Sequence, residues 1–374
     1  MHKKSSPKIL RERIIFGGFM KTTFGLYGSG WRAEFFLRVA KALPGRFNIL
    51  GVVTTNEEKA EQYTKEFGVK CFKTADGLIS EKPDFIVVSV TASASTDISL
   101  ALLEEGIPVL LETPAAVNME SLYRFNNSLP KGAKIQIAEQ YPFQPMHAAR
   151  LSFIDKGKIG TPTHTQVSYT HGYHAMSLIR KFLNIGFENA EITAKTFALP
   201  VLSGYTRSGE PTEHKIVEKN QTVAVLDFGG KTALLNHEVD QHRSWVRSPI
   251  IQIKGERGEI FNHKIKYLAD YKTPMESDFI RKDLGKEENF EGYDLKGIFA
   301  DGKWLYRNPF QGSRLIDDEI AVAACLTSMA EYVKGGPSFY SLAEASQDVY
   351  LSIMVEKAAK NNAVVFTETQ PWHK

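Results

Sequence analysis

From Lys21 onward, short apolar runs alternate with amphipathic stretches. TTFGLYGSGW starts apolar and ends in glycines, and RAEFFLRVAKAL then places its apolar residues at helical spacing. The alternation continues through FNILGVV, the helical EEKAEQYTKEFG, DFIVVSV, the helical STDISLALLEEG, and IPVLLE. AKIQIAE, near residue 135, reads as one more strand. Brief apolar runs between amphipathic helices describe buried parallel strands in βαβ units. The class is therefore α/β, with residues 21–144 predicted as a doubly wound Rossmann domain.

After about residue 145 the texture changes. PMHAARLSFIDKGKIG and YHAMSLIRKFLNIG have helical spacing, whereas TVAVLDF, TALLNHEVDQHRSW, IIQIKGE, GEIFNH and IKYLAD alternate like antiparallel strands. Such strands bury one face and leave the other free. Two helical stretches, DDEIAVAACLTSMAEYVKGG and SLAEASQDVYLSIMVEKAAKN, close the chain. The charged, aromatic segment from about 270 to 310 is predicted as loops over the sheet. Residues 145–374 thus form a predicted C-terminal α+β domain with an open, mainly antiparallel sheet.

Composition narrows the function classes. Of 374 residues, 43% are hydrophobic and 24% charged, which is ordinary for a globular protein with a sizeable core. A net charge of +3 is too mild to suggest nucleic acid. No apolar stretch approaches the roughly 18–20 residues that span a bilayer. The two cysteines, Cys71 and Cys325, lie far apart, so a reducing cytoplasm without disulfides is expected. MHKKSSPKILRERIIFGGF lacks the apolar core of a secretory signal. Residues 1–20 are expected to be a disordered basic arm; the alternative expectation is that translation starts at Met20 and residues 1–19 are not made.

The chemistry starts with GSGWRA, residues 28–33, which follows a strand, opens a helix and fits G-x-G-x-x-G/A. Gly28 permits the tight turn, Gly30 lets a pyrophosphate approach the backbone, and Ala33 is small enough for helix–strand packing. Ser29, Trp31 and Arg32 share that loop, and the helix N-terminus offers free N–H groups to phosphate. At the second strand end, Thr54 and Thr55 stand where a ribose-binding acid is usual, so NAD and NADP both stay open as cofactors. Thr91 follows DFIVVSV, and Glu112 and Thr113 follow IPVLL.

These segments resemble the glucose–fructose oxidoreductase / inositol dehydrogenase / MocA family. The resemblance rests on GLYGSGWRA, SLALLEEGIPVLLETP, GKIGTP and HAMSLIRKFL. It implies a Rossmann domain followed by an open-sheet domain, hydride transfer between nicotinamide and a sugar, cyclitol or related alcohol, and dimers or tetramers. The family's E-K-P segment, whose proline often follows a cis bond, is Glu112-Thr113-Pro114 here, so the lysine ammonium is missing. The family's base is a histidine with an aspartate four residues earlier. His174 matches it, but Thr170 replaces the aspartate, and Ala175 and Ser177 replace two further acids.

YTHGYHAMSLIR nevertheless offers Tyr169, His171, Tyr173 and His174. A histidine accepts a hydroxyl proton near neutrality, and a tyrosine donates one when a nearby cation lowers its pKa. His174, Tyr173 and His171 are the candidate catalytic residues. Two histidines three apart suggest a metal, but no third ligand has suitable spacing, and none is expected. In AEQYPFQP, Gln140 is assigned to the cofactor and Tyr141 to the substrate, which Thr170 also faces. In NHEVDQHRSWVRSP, alternation places His237, Val239, Gln241, Arg243 and Trp245 on one strand face. Gln241, Arg243 and Trp245 suit either a sugar or a subunit interface.

The leading expectation is an NAD(P)-dependent oxidoreductase acting on a carbohydrate-like polyol or glycoside. Redox-neutral glycoside cleavage is a second possibility. A non-catalytic nucleotide-binding sensor or structural subunit is the rival outside enzymology.

Overall fold

Six short strands, β1 (Thr22–Tyr27), β2 (Phe47–Val53), β3 (Cys71–Phe72), β4 (Phe85–Val88), β5 (Val109–Leu111) and β6 (Ile135–Ile137), pair in parallel. Their order is β3-β2-β1-β4-β5-β6. The computed structural model describes residues 21–206, 209–285 and 293–373; the predicted basic arm lies outside the described residues.

The helices between these strands are α1 (Ala33–Ala42), α2 (Glu57–Phe67), α3 (Ala75–Ile79), α4 (Ala92–Glu104) and α5 (Met119–Asn127). Local signals bound them. Asn56 caps α2 by accepting the Lys59 N–H at 2.9 Å, and Gly68 ends it in the left-handed region. The strands are apolar throughout because both sheet faces are covered. Phe24, Leu26, Phe85, Val87 and Leu110 pack in one core with α1, while Ile86, Val88, Val109 and Leu111 share another with α4 and α5. Strand order reverses between β1 and β4, opening a crevice at their carboxyl ends.

The second half begins with α6 (Pro145–Asp155), β7 (Pro162–Ser168) and α7 (Gly172–Leu183). A long hairpin follows, β8 (Glu191–Leu202) and β9 (Ile216–Asp227), then β10 (Thr232–Glu238), β11 (Ile250–Gly255), β12 (Gly258–Phe261), β13 (Lys264–Leu268) and β14 (Pro274–Asp278). Three shorter strands, β15 (Ile280–Asp283), β16 (Leu295–Ala300) and β17 (Lys303–Arg307), form a separate sheet. The chain closes with α8 (Asp317–Val333), α9 (Leu342–Asn361) and β18 (Val365–Phe366). The nine-stranded sheet runs β14-β13-β12-β11-β7-β10-β9-β8-β18, antiparallel except for the β7–β10 pair.

One face of that sheet packs Val167, Ile192, Leu226, Leu235 and Ile253 in a core with Leu178 and Phe182 of α7 and Val355 of α9. The other face leaves Phe197, Leu199, Val225 and Phe261 exposed. Helix α8 returns to the first sheet, where Ile320, Cys325, Leu326 and Met329 join the α1 core. No helix among the described residues is long and apolar enough to cross a membrane.

Two sequence-based expectations need correction. The 236–249 stretch is not one strand: β10 ends at Glu238, Asp240 turns left-handed (φ 64°), and a 3-10 turn covers Gln241–Arg243. The period of two fails there, so His237, Gln241, Arg243 and Trp245 do not share a strand face. The 270–310 segment is not loops: it holds β14 to β17, with residues 286–292 outside the described residues. Lysines and arginines on its solvent side hide a buried set, Phe279, Ile298 and Leu305, that packs in one core with Phe153 of α6.

Candidate active site

Gly28 ends β1 with φ 118°, and a Cβ there would lie 2.1 Å from the Ser89 carbonyl oxygen, so only glycine fits. A Cβ on Gly30 would meet nothing within 4 Å. The loop is thus closed behind Gly28 and open in front of Gly30, at the start of α1, as a pyrophosphate requires. The Ser29 and Thr54 hydroxyls share a hydrogen bond of 2.7 Å, and the Asn56 N–H donates to Thr54 Oγ1 at 3.2 Å. Hydroxyls therefore tie the β2 end to the loop, with Thr55 exposed beside them. Thr91, between β4 and α4, is exposed at the same edge, and Trp31 lies half-exposed against Phe35.

Arg32 turns away from the loop into a buried ion cluster. Its Nε donates to Glu112 Oε1 at 2.9 Å and its Nη1 to Asp318 Oδ2 at 2.5 Å. Burial opposes the guanidinium charge, but the two carboxylates more than offset this and raise its pKa. Burial raises Glu112 above the ordinary carboxylate range, and Arg32 counteracts part of that rise. Arg32 Nη2 is buried without a hydrogen-bond partner among the described residues.

The Thr113–Pro114 bond is cis. The Thr113 hydroxyl interacts with the Tyr173 phenol, in the first turn of α7. Burial raises the Tyr173 pKa, with Glu139 adding to the effect. The cation expected to lower it is therefore not supplied, and Tyr173 is held as a protonated donor.

His174, also in that first turn, is buried, and its Nδ1 lies 2.7 Å from Glu139 Oε2. Glu139 follows β6 and is 2% exposed, and its Oε1 accepts the Tyr141 N–H at 3.2 Å. Burial pushes Glu139 up to about 8 and the imidazole well below its ordinary value. Burial thus pushes both partners toward their neutral forms. The rings of Tyr141 and Tyr173 lie 4.5 and 4.4 Å from His174, centroid to centroid. Thr170 is buried beside Tyr141, and its oxygen lacks a well-formed hydrogen bond among the described residues.

His171 lies 5.5 Å from His174 and 6.0 Å from the His237 ring on β10, centroid to centroid. Burial lowers both outer histidines to about 4, so they are neutral near pH 7. The β5 and β6 ends thus meet the α7 N-terminus. Beyond His237 the predicted residues disperse. Gln241 Nε2 donates to the Ser168 and Ser248 carbonyls, and its Oε1 accepts the Glu238 N–H. Arg243 pairs with Asp240 at 2.9 Å, and Trp245 is 76% exposed. Gln140 is buried, with its Oε1 unpartnered among the described residues.

Sequence reasoning missed Glu139 and Asp318. Glu139 had a signal, because it breaks an apolar run at a strand's carboxyl end, as Glu112 does after IPVLL. Asp318 had none, because its role depends on α8 crossing back to the first sheet.

Residues 22–137 match the family described as an oxidoreductase family with an NAD-binding Rossmann fold, GFO_IDH_MocA. The match spans the first sheet, from β1 to β6. A search of curated proteins finds no match in sequence. Among solved structures, the chain is similar to an oxidoreductase from Agrobacterium radiobacter in complex with NAD+, L-tartaric acid and magnesium. The TM-score is 0.67 at 15% identity, covering 92% of this chain and 98% of that one. A levoglucosan dehydrogenase in complex with NADH and levoglucosan gives 0.65 at 14% identity, over 93% and 99% of the two chains. A myo-inositol dehydrogenase from Corynebacterium glutamicum gives 0.64 at 15%, over 94% and 100%. At these identities the likeness over the whole chain is one of fold.

Proposed function

We propose that this protein is an NAD(P)-dependent oxidoreductase acting on a carbohydrate-like polyol or glycoside, with His174 as its acid/base. The observation that carries this reading is the Glu139–His174 pair at the same strand-end edge as the open glycine loop. Gly28, Ser29 and Gly30 would hold the pyrophosphate at the α1 N-terminus, with Thr55 and Thr91 flanking it. Bound nicotinamide supplies or accepts a hydride. His174 Nε2 makes no protein hydrogen bond among the described residues, so it can exchange the substrate's hydroxyl proton. Tyr173 donates a hydrogen bond to the same oxygen, in place of the absent lysine ammonium. Neutral His171 and His237, with Tyr141 and Thr170, form a polar, uncharged surround suited to hydroxyl groups. Solved structures of similar fold hold levoglucosan or tartaric acid, which are hydroxylated compounds.

The test is nucleotide titration by NADH and NADPH fluorescence, followed by a polyol and glycoside screen of wild type and His174→Ala. Binding of at least one nucleotide and a loss of about 100- to 10,000-fold in the variant are expected, the usual contribution of a general acid/base. Binding of neither nucleotide overturns the reading. Glycoside cleavage without net nicotinamide reduction would redirect it to redox-neutral elimination. The exposed Phe197, Leu199, Val225 and Phe261 support a homo-oligomer assembled through the open sheet face. Sedimentation of wild type and Phe197→Lys tests that assembly.

A further inference from the structure

We propose that Glu139 is a positioning residue that sets the His174 tautomer and stores the reaction's proton, so that the pair works as one acid/base unit. The proposal rests on the functional reading above and deepens it. Its basis is geometric. Glu139 Oε2 is 2.7 Å from His174 Nδ1, and the other oxygen is held by the Tyr141 N–H. Both side chains are buried, and no Lys or Arg pairs with Glu139 among the described residues. A carboxyl in this position has one hydrogen-bonding route for its proton, along the bond to Nδ1.

In the proton-loaded state Glu139 is a neutral carboxylic acid donating to Nδ1, which leaves the imidazole proton on Nε2. Reduction of a carbonyl takes a hydride at carbon and a proton at oxygen. The Nε2 proton passes to that oxygen while the Glu139 proton moves to Nδ1. The bonds broken are Nε2–H and the carboxyl O–H, and those formed are substrate O–H and Nδ1–H. Glu139 ends as a carboxylate accepting from Nδ1–H, and Nε2 ends with a free lone pair. Oxidation of an alcohol runs these transfers in reverse. At no stage is a buried imidazolium needed, and this suits a site whose burial disfavours that cation.

The surrounding charged groups are engaged in other pairs. Arg32, just before α1, is bonded to Glu112 after β5 and Asp318 of α8, Lys181 of α7 to Glu344, and Asp348 of α9 to Arg180. Tyr173, Tyr340 and Cys325, which also feel Glu139 or lie near it, are all pushed toward their neutral forms by burial. His171 and Tyr141 adjoin the imidazole and are neutral near pH 7. Glu139 and His174 are thus the pair left to exchange a proton.

The test is ¹⁵N NMR of histidine-labelled, nucleotide-free full-length protein from pH 6 to 10, with His174→Gln used to assign the signal. Wild type should pass from the Nε2–H to the Nδ1–H tautomer as pH rises through the Glu139 titration. Glu139→Gln, which keeps the shape but has no proton to give, should hold one tautomer throughout. Glu139→Asp should restore the switch at least in part. A single wild-type tautomer over the whole range, or an unchanged switch in Glu139→Gln, overturns the proposal. On any substrate turned over, Glu139→Gln should lower kcat at least 100-fold and leave KM within threefold; a KM-only effect also overturns it. The tautomer readout needs neither nucleotide nor substrate. A chain that switches tautomers but binds no nucleotide would therefore refute the oxidoreductase reading and leave the dyad standing.

Discussion

Glu112 and Glu139 stand at the carboxyl ends of neighbouring strands, both buried, yet the fold puts them to opposite uses. Glu112 meets the Arg32 guanidinium, which is also held by Asp318, and becomes a fixed anion in a structural cluster. Glu139 meets the imidazole of His174 and becomes a carboxyl able to carry a proton. Burial alone raises both groups. The partner decides which of them stays ionised.

The largest expected effect tests the fixed anion. Glu112→Ala leaves Arg32 buried with one carboxylate, and breaking a buried pair costs about 3–5 kcal/mol. With Asp318 still in place, the loss of stability in urea unfolding should fall near the lower end of that range. Glu139→Ala leaves only a neutral imidazole nitrogen unpaired, at a cost of about 1–3 kcal/mol. If the two variants rank the other way, the contrast between the carboxylates fails.

Stability against pH sharpens the same comparison. Glu139 has a folded-state pKa raised to about 8, so the native protein holds a proton there that the unfolded chain releases near the ordinary carboxylate value. Its contribution is fully present below that ordinary value and is lost as pH rises through about 8. Urea midpoints of wild type should therefore fall between pH 5 and 8.5 relative to Glu139→Gln. Asp348, raised by burial to about 6, adds a slope of the same sign to both proteins and cancels in the difference. Equal slopes in the two proteins would place Glu139 in its charged form throughout.

Thr113→Lys places a cation beside Tyr173. Its expected effect is a drop of about 1–3 units in the Tyr173 pKa, read as tyrosinate absorbance appearing at lower pH, together with a gain in polyol dehydrogenation. A gain in activity without the absorbance change would mean that the lysine acts on substrate directly. Trp245→Ala should be the mildest, within about 0.5 kcal/mol of wild type, because the side chain projects into solvent. A larger loss in the assembled protein would place Trp245 in the subunit interface.

How far the sequence could be read depended on the range of the interactions involved. Gly28, Gly30 and the apolar strands of the first sheet were legible, because local turn geometry and two-sided burial leave marks within a few residues. The cis Thr113–Pro114 bond and the placement of His174 followed from family resemblance. The turn at Asp240 was not legible, because the polar alternation continued past the end of β10. Nor were β14 to β17, whose buried residues are separated by charged ones. Glu139 was visible as a residue but not as a partner.

By itself the sequence determined the βαβ order, the glycine loop, and the hydroxyl side chains at Thr113 and Thr170. These are properties of neighbouring residues, and chain connectivity is enough to express them. Only the tertiary structure decided that Glu139 meets His174, that Asp318 returns from α8 to hold Arg32, and that Thr113 faces Tyr173. Each pairing joins residues from different elements, and a carboxyl's pKa is set by whatever packing places beside it.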